Sequence, residues 1–213
     1  MRIAIIGIGS VGRALAHGLR GKGHKIVFGS RDPNKETDMA KSLGAGTATQ
    51  AAAAEGAQII ILALPWRVAQ AVVLGLGDLS GKIVVDCMNP IGMVDGALGL
   101  VLGHDTSGAE QVAGWLPGAR IVKTLNQVGA EVMANTSNLP HPPVMFMAGD
   151  DTAAKADVAS LLTDLGFDPQ DAGDLGKARL LEPFAMVWIN QALARGKGRS
   201  WAFAAIHRTE VVP

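Results

Sequence analysis

Gly7-Ile8-Gly9-Ser10-Val11-Gly12 carries the spacing G-x-G-x-x-G, and that spacing answers three needs of a bound pyrophosphate. Gly7 permits a tight turn, Gly9 lets phosphate approach the backbone, and Gly12 lets the next helix pack closely on the preceding strand. The phosphates then meet free amides at the positive end of a helix. The pattern alone is weak. Here it follows a short apolar run, Arg2-Ile3-Ala4-Ile5-Ile6, and leads into Val11, Ala14, Leu15 and Leu19 at helical spacing. That context favours a dinucleotide site over a merely structural strand–helix turn. Which dinucleotide depends on the second strand. An NAD site usually places Asp or Glu near its end; here it ends Gly29-Ser30-Arg31-Asp32, with Lys35 one turn further on. Arg31 can make paired charge-assisted bonds to a 2′-phosphate, Ser30 can donate one more, and Lys35 adds a point charge. NADP(H) is expected over NAD; the competing reading is an Arg31–Asp32 surface ion pair worth little.

Ligands of such folds lie beyond the carboxyl ends of the strands, so three more loops should reach the nicotinamide end. In Ala63-Leu64-Pro65-Trp66, Pro65 stiffens the turn and Leu64 presents a carbonyl, while Trp66 has an equal claim as interface packing. In Cys87-Met88-Asn89-Pro90, Asn89 offers donors and acceptors to a carboxamide, and Cys87 reads as a small buried hydrophobe. The third loop, Thr124 to Gly129, brings Asn126 and Gln127 toward the substrate. No side chain is assigned as a catalytic acid or as a metal ligand. His17, His24, His104, His141 and His207 form no catalytic pattern, His17 and His24 being expected in solvent. Lys123 reads as a partly exposed structural lysine rather than a catalytic one. Leu181, Glu182, Phe184, Ala185 and Trp188 could roof the acceptor site, with Leu181 and Phe184 assigned to a helix's core stripe. Glu182 stands in an apolar stripe and needs a partner.

The elements that must position these residues alternate along the chain. Apolar strands are expected at Arg2–Ile6, Lys25–Gly29, Gln58–Leu64, Lys82–Asp86, Arg120–Thr124 and Pro143–Ala148. Helices are expected at Val11–Leu19, from Asp32 (as N-cap, with Pro33 next), at Val68–Leu76 and at Ser107–Leu116. Such alternation indicates an α/β fold, a Rossmann-type doubly wound parallel sheet. Residues 1–149 form the NADP-binding domain. Residues 150–213 form a small, mostly helical region over the active-site cleft, with a helix running from a cap at Asp150-Asp151-Thr152 to Leu165, a short segment at Phe167–Ala172, and a long helix at Lys177–Ala194.

Composition narrows the classes. Of 213 residues 48% are hydrophobic and 18% charged, enough for a sizeable core. Lys plus Arg and Asp plus Glu are each 19, a balance that argues against nucleic acid. A single cysteine excludes an internal disulfide framework, and absent tyrosine excludes the Tyr-Lys chemistry of short-chain dehydrogenases. The longest apolar run, Ile59–Trp66, is far below the roughly 20 residues of a membrane helix, and no leader precedes Arg2; a cytoplasmic protein is expected.

With these loops assembled, the chain resembles the NADPH-dependent reductases of the deazaflavin coenzyme F420. The residues that carry the resemblance are Arg2 to Gly7, Gly29-Ser30-Arg31 with Lys35, Leu64-Pro65-Trp66, Lys82-Ile83-Val84-Val85, Ala172-Gly173-Asp174-Leu175 and Arg179-Leu180-Leu181-Glu182. The resemblance implies an NADP(H) site and hydride transfer to or from a second, flavin-like ring. The same domain type looks like the cytosolic part of six-transmembrane metalloreductases. Two departures stand out: the glycine turn is one residue shorter than in those reductases, and Asn126-Gln127 replaces their His-Thr. The small-molecule acceptor, coenzyme F420 or another planar ring, is therefore left open beside an imine or carbonyl reductase and a non-enzymatic NADPH-binding sensor. A small helical cap rarely closes a cleft alone, which leaves a homodimer open as well.

Overall fold

Strand β1 (Arg2–Ile6) runs up the middle of an eight-stranded sheet, where all of its residues but the first are buried. The structure is a computed structural model that describes residues 1–206 and 208; His207 lies outside the described residues. From β1 the chain passes through helix α1 (Ser10–Gly18) to β2 (Lys25–Ser30), then through a 3-10 turn (Pro33–Glu36) and α2 (Thr37–Ser42) to β3 (Gly46–Thr49). Helix α3 (Gln50–Glu55), β4 (Ile59–Leu62), α4 (Trp66–Leu74) and β5 (Ile83–Asp86) follow. A two-stranded hairpin, β6 (Ile91–Val94) and β7 (Ala97–Leu100), leads into α5 (Gly108–Trp115), β8 (Arg120–Lys123) and α6 (Ala130–Ala134). The chain closes with β9 (Val144–Ala148), α7 (Thr152–Asp164), β10 (Asp168–Gly173) and α8 (Ala178–Ile189), the last continuing as a π turn over Asn190–Ala194.

The sheet order is β10-β9-β8-β5-β4-β1-β2-β3. Six strands from β3 to β8 are parallel, as the near-continuous apolar runs require; β9 turns antiparallel to β8 and pairs parallel with β10. Alternate side chains sort to the two faces. Ile3 and Ile5 join Leu15, Phe28 and Leu161 in the core under α1, α6 and α7, while Ala4 and Ile6 join Ala69, Val73 and Val112 under α3, α4 and α5.

Two expectations are corrected, and a segment given no type acquires one. The helix anticipated at Asp32 begins as a 3-10 turn, and Asp32 makes no side-chain cap because its carboxylate pairs with Lys35 at 2.9 Å. His24 is not in solvent: its side chain is 5% exposed, and Nε2 lies 2.9 Å from Asp164 Oδ2, pinning the end of α7 to the turn before β2. The segment at Phe167–Ala172 supplies β10, an edge strand that tolerates Pro169 because no further strand claims its missing donor.

Candidate dinucleotide and hydride-acceptor cleft

The glycine turn has the close backbone approaches that its spacing predicts. Gly7 has φ +117°, and a Cβ there would stand 2.2 Å from the Ala63 carbonyl oxygen; a Cβ on Gly12 would stand 2.0 Å from that of Gly7. Both positions are closed to any larger residue by backbone, which cannot yield. A Cβ on Gly9 would meet nothing within 4 Å. The space in front of Gly9 is open, and Gly9 caps α1 without a side chain, with no acidic residue in the first turn. The leading amides of α1 are thus offered outward, the arrangement that binds phosphate. Gly9 and Ser10 are exposed and Ile8 and Val11 half-buried, and Arg13 braces the turn by donating from Nε to the Ile8 carbonyl at 2.9 Å.

At the end of β2, Ser30 is 6% exposed and its Oγ accepts from the Asp32 amide at 3.1 Å, leaving its own hydroxyl hydrogen to donate. Lys35 takes Asp32 as partner, and the Arg31–Asp32 pair of the competing reading does not form among the described residues. Among the described residues the exposed Arg31 guanidinium has neither an ion-pair nor a hydrogen-bond partner. The adjacent Asp32 carboxylate is engaged with Lys35 instead.

Opposite, Ala63 and Leu64 are half-buried beyond β4, and Pro65 caps α4. Trp66 stacks on Trp115 at 5.4 Å, which places it in the packing between α4 and α5 rather than in the cleft. Asn89 is half-buried above buried Pro90 and is joined twice to Asn126: Asn89 Nδ2 donates to the Asn126 carbonyl at 2.9 Å, and Asn126 Nδ2 donates to Asn89 Oδ1 at 3.0 Å. Asn126 also donates to the Leu181 carbonyl and accepts from Gln127 Nε2. Gln127, 1% exposed, spends its amide on the backbone N–H and C=O of Phe146. Trp188, 5% exposed, donates its indole N–H to the Trp201 carbonyl. The structure therefore brings Asn89 and Asn126 together at the carboxyl ends of β5 and β8, and uses Gln127 and Trp188 to hold the walls.

Behind that pair lies a network that sequence reasoning saw only in fragments. Lys123, expected to be partly exposed, is fully buried; its Nζ lies 3.0 Å from Asp86 Oδ2 and 2.9 Å from Glu182 Oε1 and also donates to the Met88 carbonyl. Glu182 finds the partner its apolar stripe demanded, and accepts further from the Gly108 and Ala109 amides at the start of α5. Asp86 accepts from the Met88 amide at 2.9 Å. Every polar atom is satisfied, and one cation against two carboxylates is balanced by the positive end of α5. A readable signal existed: Asp86 and Lys123 each end a strand that is otherwise apolar, and they are register partners. Burial works to lower the Lys123 ammonium, but Asp86 and Glu182 outweigh it and hold its pKa above the ordinary lysine value. Its stabilising contribution is therefore complete below the unfolded value near ~10.4 and is lost as pH rises through the higher folded one. Urea midpoints should be insensitive to this group up to about pH 10 and fall above it, with no tyrosine to confuse the titration. A midpoint that already declines between pH 7 and 9 through this group would contradict the assignment. Burial, with Asp86 adding and Lys123 opposing, pushes the Cys87 thiol up, which keeps it an inert hydrophobe as expected.

Among the described residues no cluster of His, Cys, Asp and Glu could hold a metal, and no helix is long and apolar enough to cross a membrane. Residues 2–90 match the family model described as NADP oxidoreductase coenzyme F420-dependent. The chain is 30% identical to the F420-dependent NADP reductase of Methanothermobacter marburgensis, over 89% of this chain and 92% of that one. It is 32% identical to the rat metalloreductase STEAP3 over 85% of its own length, but spans only 36% of that protein. A crystal structure from Arthrobacter sp. FB24, of a protein provisionally described as an F420-dependent NADP reductase, superposes with a TM-score of 0.85 at 33% identity, covering 97% of this chain and all of that one.

Proposed function

Because the chain belongs to the family of coenzyme F420-dependent NADP oxidoreductases, we propose that it transfers a hydride between NADP(H), held by the turn at Gly7–Gly12, and a planar flavin-like acceptor, coenzyme F420 or a related ring. Supporting the dinucleotide half is the open space at Gly9 beside the uncommitted Arg31 guanidinium. The pyrophosphate would lie on the leading amides of α1, with Arg31 and the Ser30 hydroxyl on the 2′-phosphate and Lys35 contributing charge from its Asp32 tether. The nicotinamide would extend past Ala63-Leu64-Pro65 toward Asn89 and Pro90, where Asn126 fixes the Asn89 amide.

Hydride transfer between two rings needs no protein acid in that step. The cofactor carries the chemistry, while the chain supplies alignment and excludes water. That fits a chain in which, among the described residues, every buried side-chain polar atom has a hydrogen-bond partner. The reading places the enzyme in the cytoplasm, with a diffusible acceptor and, at zero net charge, no purchase on nucleic acid.

Thermal shifts with NADPH and NADH test the first half. NADPH should stabilise well beyond NADH, and Arg31→Ala should weaken NADPH by about 10- to 100-fold, the worth of a charge-assisted pair, while moving NADH little. Equal stabilisation by both, unchanged in the variant, would refute the phosphate site. Following NADPH oxidation with coenzyme F420, FMN, quinones and cyclic imines tests the second half; turnover confined to imines would replace the planar-ring reading with an imine reductase, and tight binding without turnover would replace it with a sensor.

A further inference from the structure

The ammonium of Lys123 and the carboxylates of Asp86 and Glu182 are sealed from solvent and take no part in the hydride step. Stability alone gives no reason to keep them. A buried charge cluster is commonly matched or exceeded in stability by apolar residues of the same volume, because desolvation offsets what attraction returns. What apolar residues could not do is hold the backbone that leaves β5. The ladder of β5 ends with the Cys87 amide, which donates to the Leu62 carbonyl at 3.3 Å. Both backbone groups of the next residue turn to the charges. The Met88 N–H donates to Asp86 Oδ1 at 2.9 Å, and the Met88 carbonyl accepts from Lys123 Nζ. The ammonium has three hydrogens, and Asp86, Glu182 and Met88 take all three. The Met88–Asn89 peptide is thereby fixed in rotation as well as in place.

The side chain of Asn89 is caught from the other direction. Its Nδ2 faces the Asn126 carbonyl oxygen, which can only accept, so the Asn89 amide has one possible orientation. Asn126 in turn commits both of its Nδ2 hydrogens, one to Asn89 Oδ1 at 3.0 Å and one to the Leu181 carbonyl at 3.1 Å. Leu181 and Glu182 are consecutive on α8, so the two tethers of Asn89 end on the same helical turn. The half-buried Asn89 amide keeps one N–H and one oxygen lone pair uncommitted. A primary carboxamide, with an oxygen to accept and an NH2 to donate, is the complement of that pair.

We propose that the buried triad positions the nicotinamide: Asp86, Lys123 and Glu182 act through the Met88–Asn89 peptide to hold the Asn89 amide where it pairs with the carboxamide of the ring. The inference rests on the placement of the nicotinamide given above and names what aims it. None of the three touches the cofactor; they are positioning residues, and Asn126 is a fourth. Aim matters because a misplacement of about 1 Å costs hydride transfer on the order of 100-fold. Side chains locked by buried, directional bonds are the support that such precision needs.

The test compares NADPH with adenosine 2′,5′-bisphosphate, which has the adenosine end of NADPH and no nicotinamide. Lys123→Met, Asp86→Asn and Glu182→Leu are combined, so that no charge stays buried alone. Calorimetric titration should find the bisphosphate bound within about twofold of wild type, as for a site remote from the change. The advantage of NADPH over it should shrink by about tenfold, the worth of the carboxamide hydrogen bonds. The emission of bound NADPH should move toward that of free NADPH, and kcat with any acceptor turned over should fall about 100-fold while the KM for NADPH rises less. A folded triple variant that keeps both the wild-type advantage and the wild-type emission overturns the proposal and leaves the dinucleotide site standing. So does a wild-type protein that binds both ligands equally. If the wild type binds neither, the dinucleotide reading falls and the proposal with it. Should the triple variant not fold, Asp86→Asn decides by the same ratio. It leaves Lys123 paired with Glu182 but sets an amide N–H against the ammonium, and an unchanged ratio there overturns the proposal.

Discussion

Lys123→Met should lower the free energy of unfolding by about 3–5 kcal/mol, because it leaves Asp86 and Glu182 buried against each other without their cation. Against the ~5–15 kcal/mol that holds a typical domain together, that is a fifth of the total or more, and the melting temperature should drop by about 10 °C. The cause is uncompensated charge rather than lost packing, since methionine fills most of the same volume. Adding Asp86→Asn and Glu182→Leu to Lys123→Met should therefore restore much of the loss. Urea denaturation of the single and triple variants measures both effects. A single variant that melts within 2 °C or so of wild type, or a triple variant no better than the single, would show that the network is not charge-dependent as described.

Gly9→Ala and Gly12→Ala should separate binding from folding. At Gly9 the backbone is extended, with φ −72° and ψ −170°, and the new methyl meets open space, so the unliganded protein should melt within a degree or two of wild type. That methyl occupies the ground a pyrophosphate needs, and NADPH affinity should fall by about tenfold or more. At Gly12 the methyl would come 2.0 Å from the Gly7 oxygen, forcing α1 off β1 at a cost of about 1–3 kcal/mol before any ligand is added. Calorimetric titration with NADPH beside thermal unfolding checks the pair. If Gly9→Ala binds NADPH as wild type does, the phosphates lie elsewhere.

The parallel core was legible in the sequence because burial on both faces writes itself as uninterrupted runs such as Ile59-Ile60-Ile61-Leu62. Two strands and a hairpin were harder for reasons of position. Strand β3 is a half-exposed edge of four residues, and β10 spells Asp-Pro-Gln-Asp-Ala-Gly, polar because only one side of it pairs. The hairpin β6–β7 has its turn at Asp95-Gly96, both at positive φ, the kind of dipeptide that marks a reversal between short runs. In the cleft, the glycine turn and Ser30-Arg31 announced themselves because their chemistry is local. Asn126 and Gln127 were expected to face substrate, yet their amides are consumed by Asn89, Leu181 and Phe146, partners between 19 and 55 residues away. Phe184 was assigned to the core stripe of its helix, but Phe146 and Phe203 draw it into a half-exposed aromatic row.

The latch between Lys123 and Glu182 also bears on how the chain comes off the ribosome. Asp86 and Lys123 can meet once β8 has emerged, but the second carboxylate arrives 59 residues later, on α8. Until then the nascent chain must shelter the amino end of α5 and the tips of β5 and β8 by other means, so the crevice is completed only once α8 has emerged. Shortened versions ending before Ala178 would keep the glycine turn and lose the rigid floor beneath Asn89, and the two halves of the molecule are in this sense one cooperative unit.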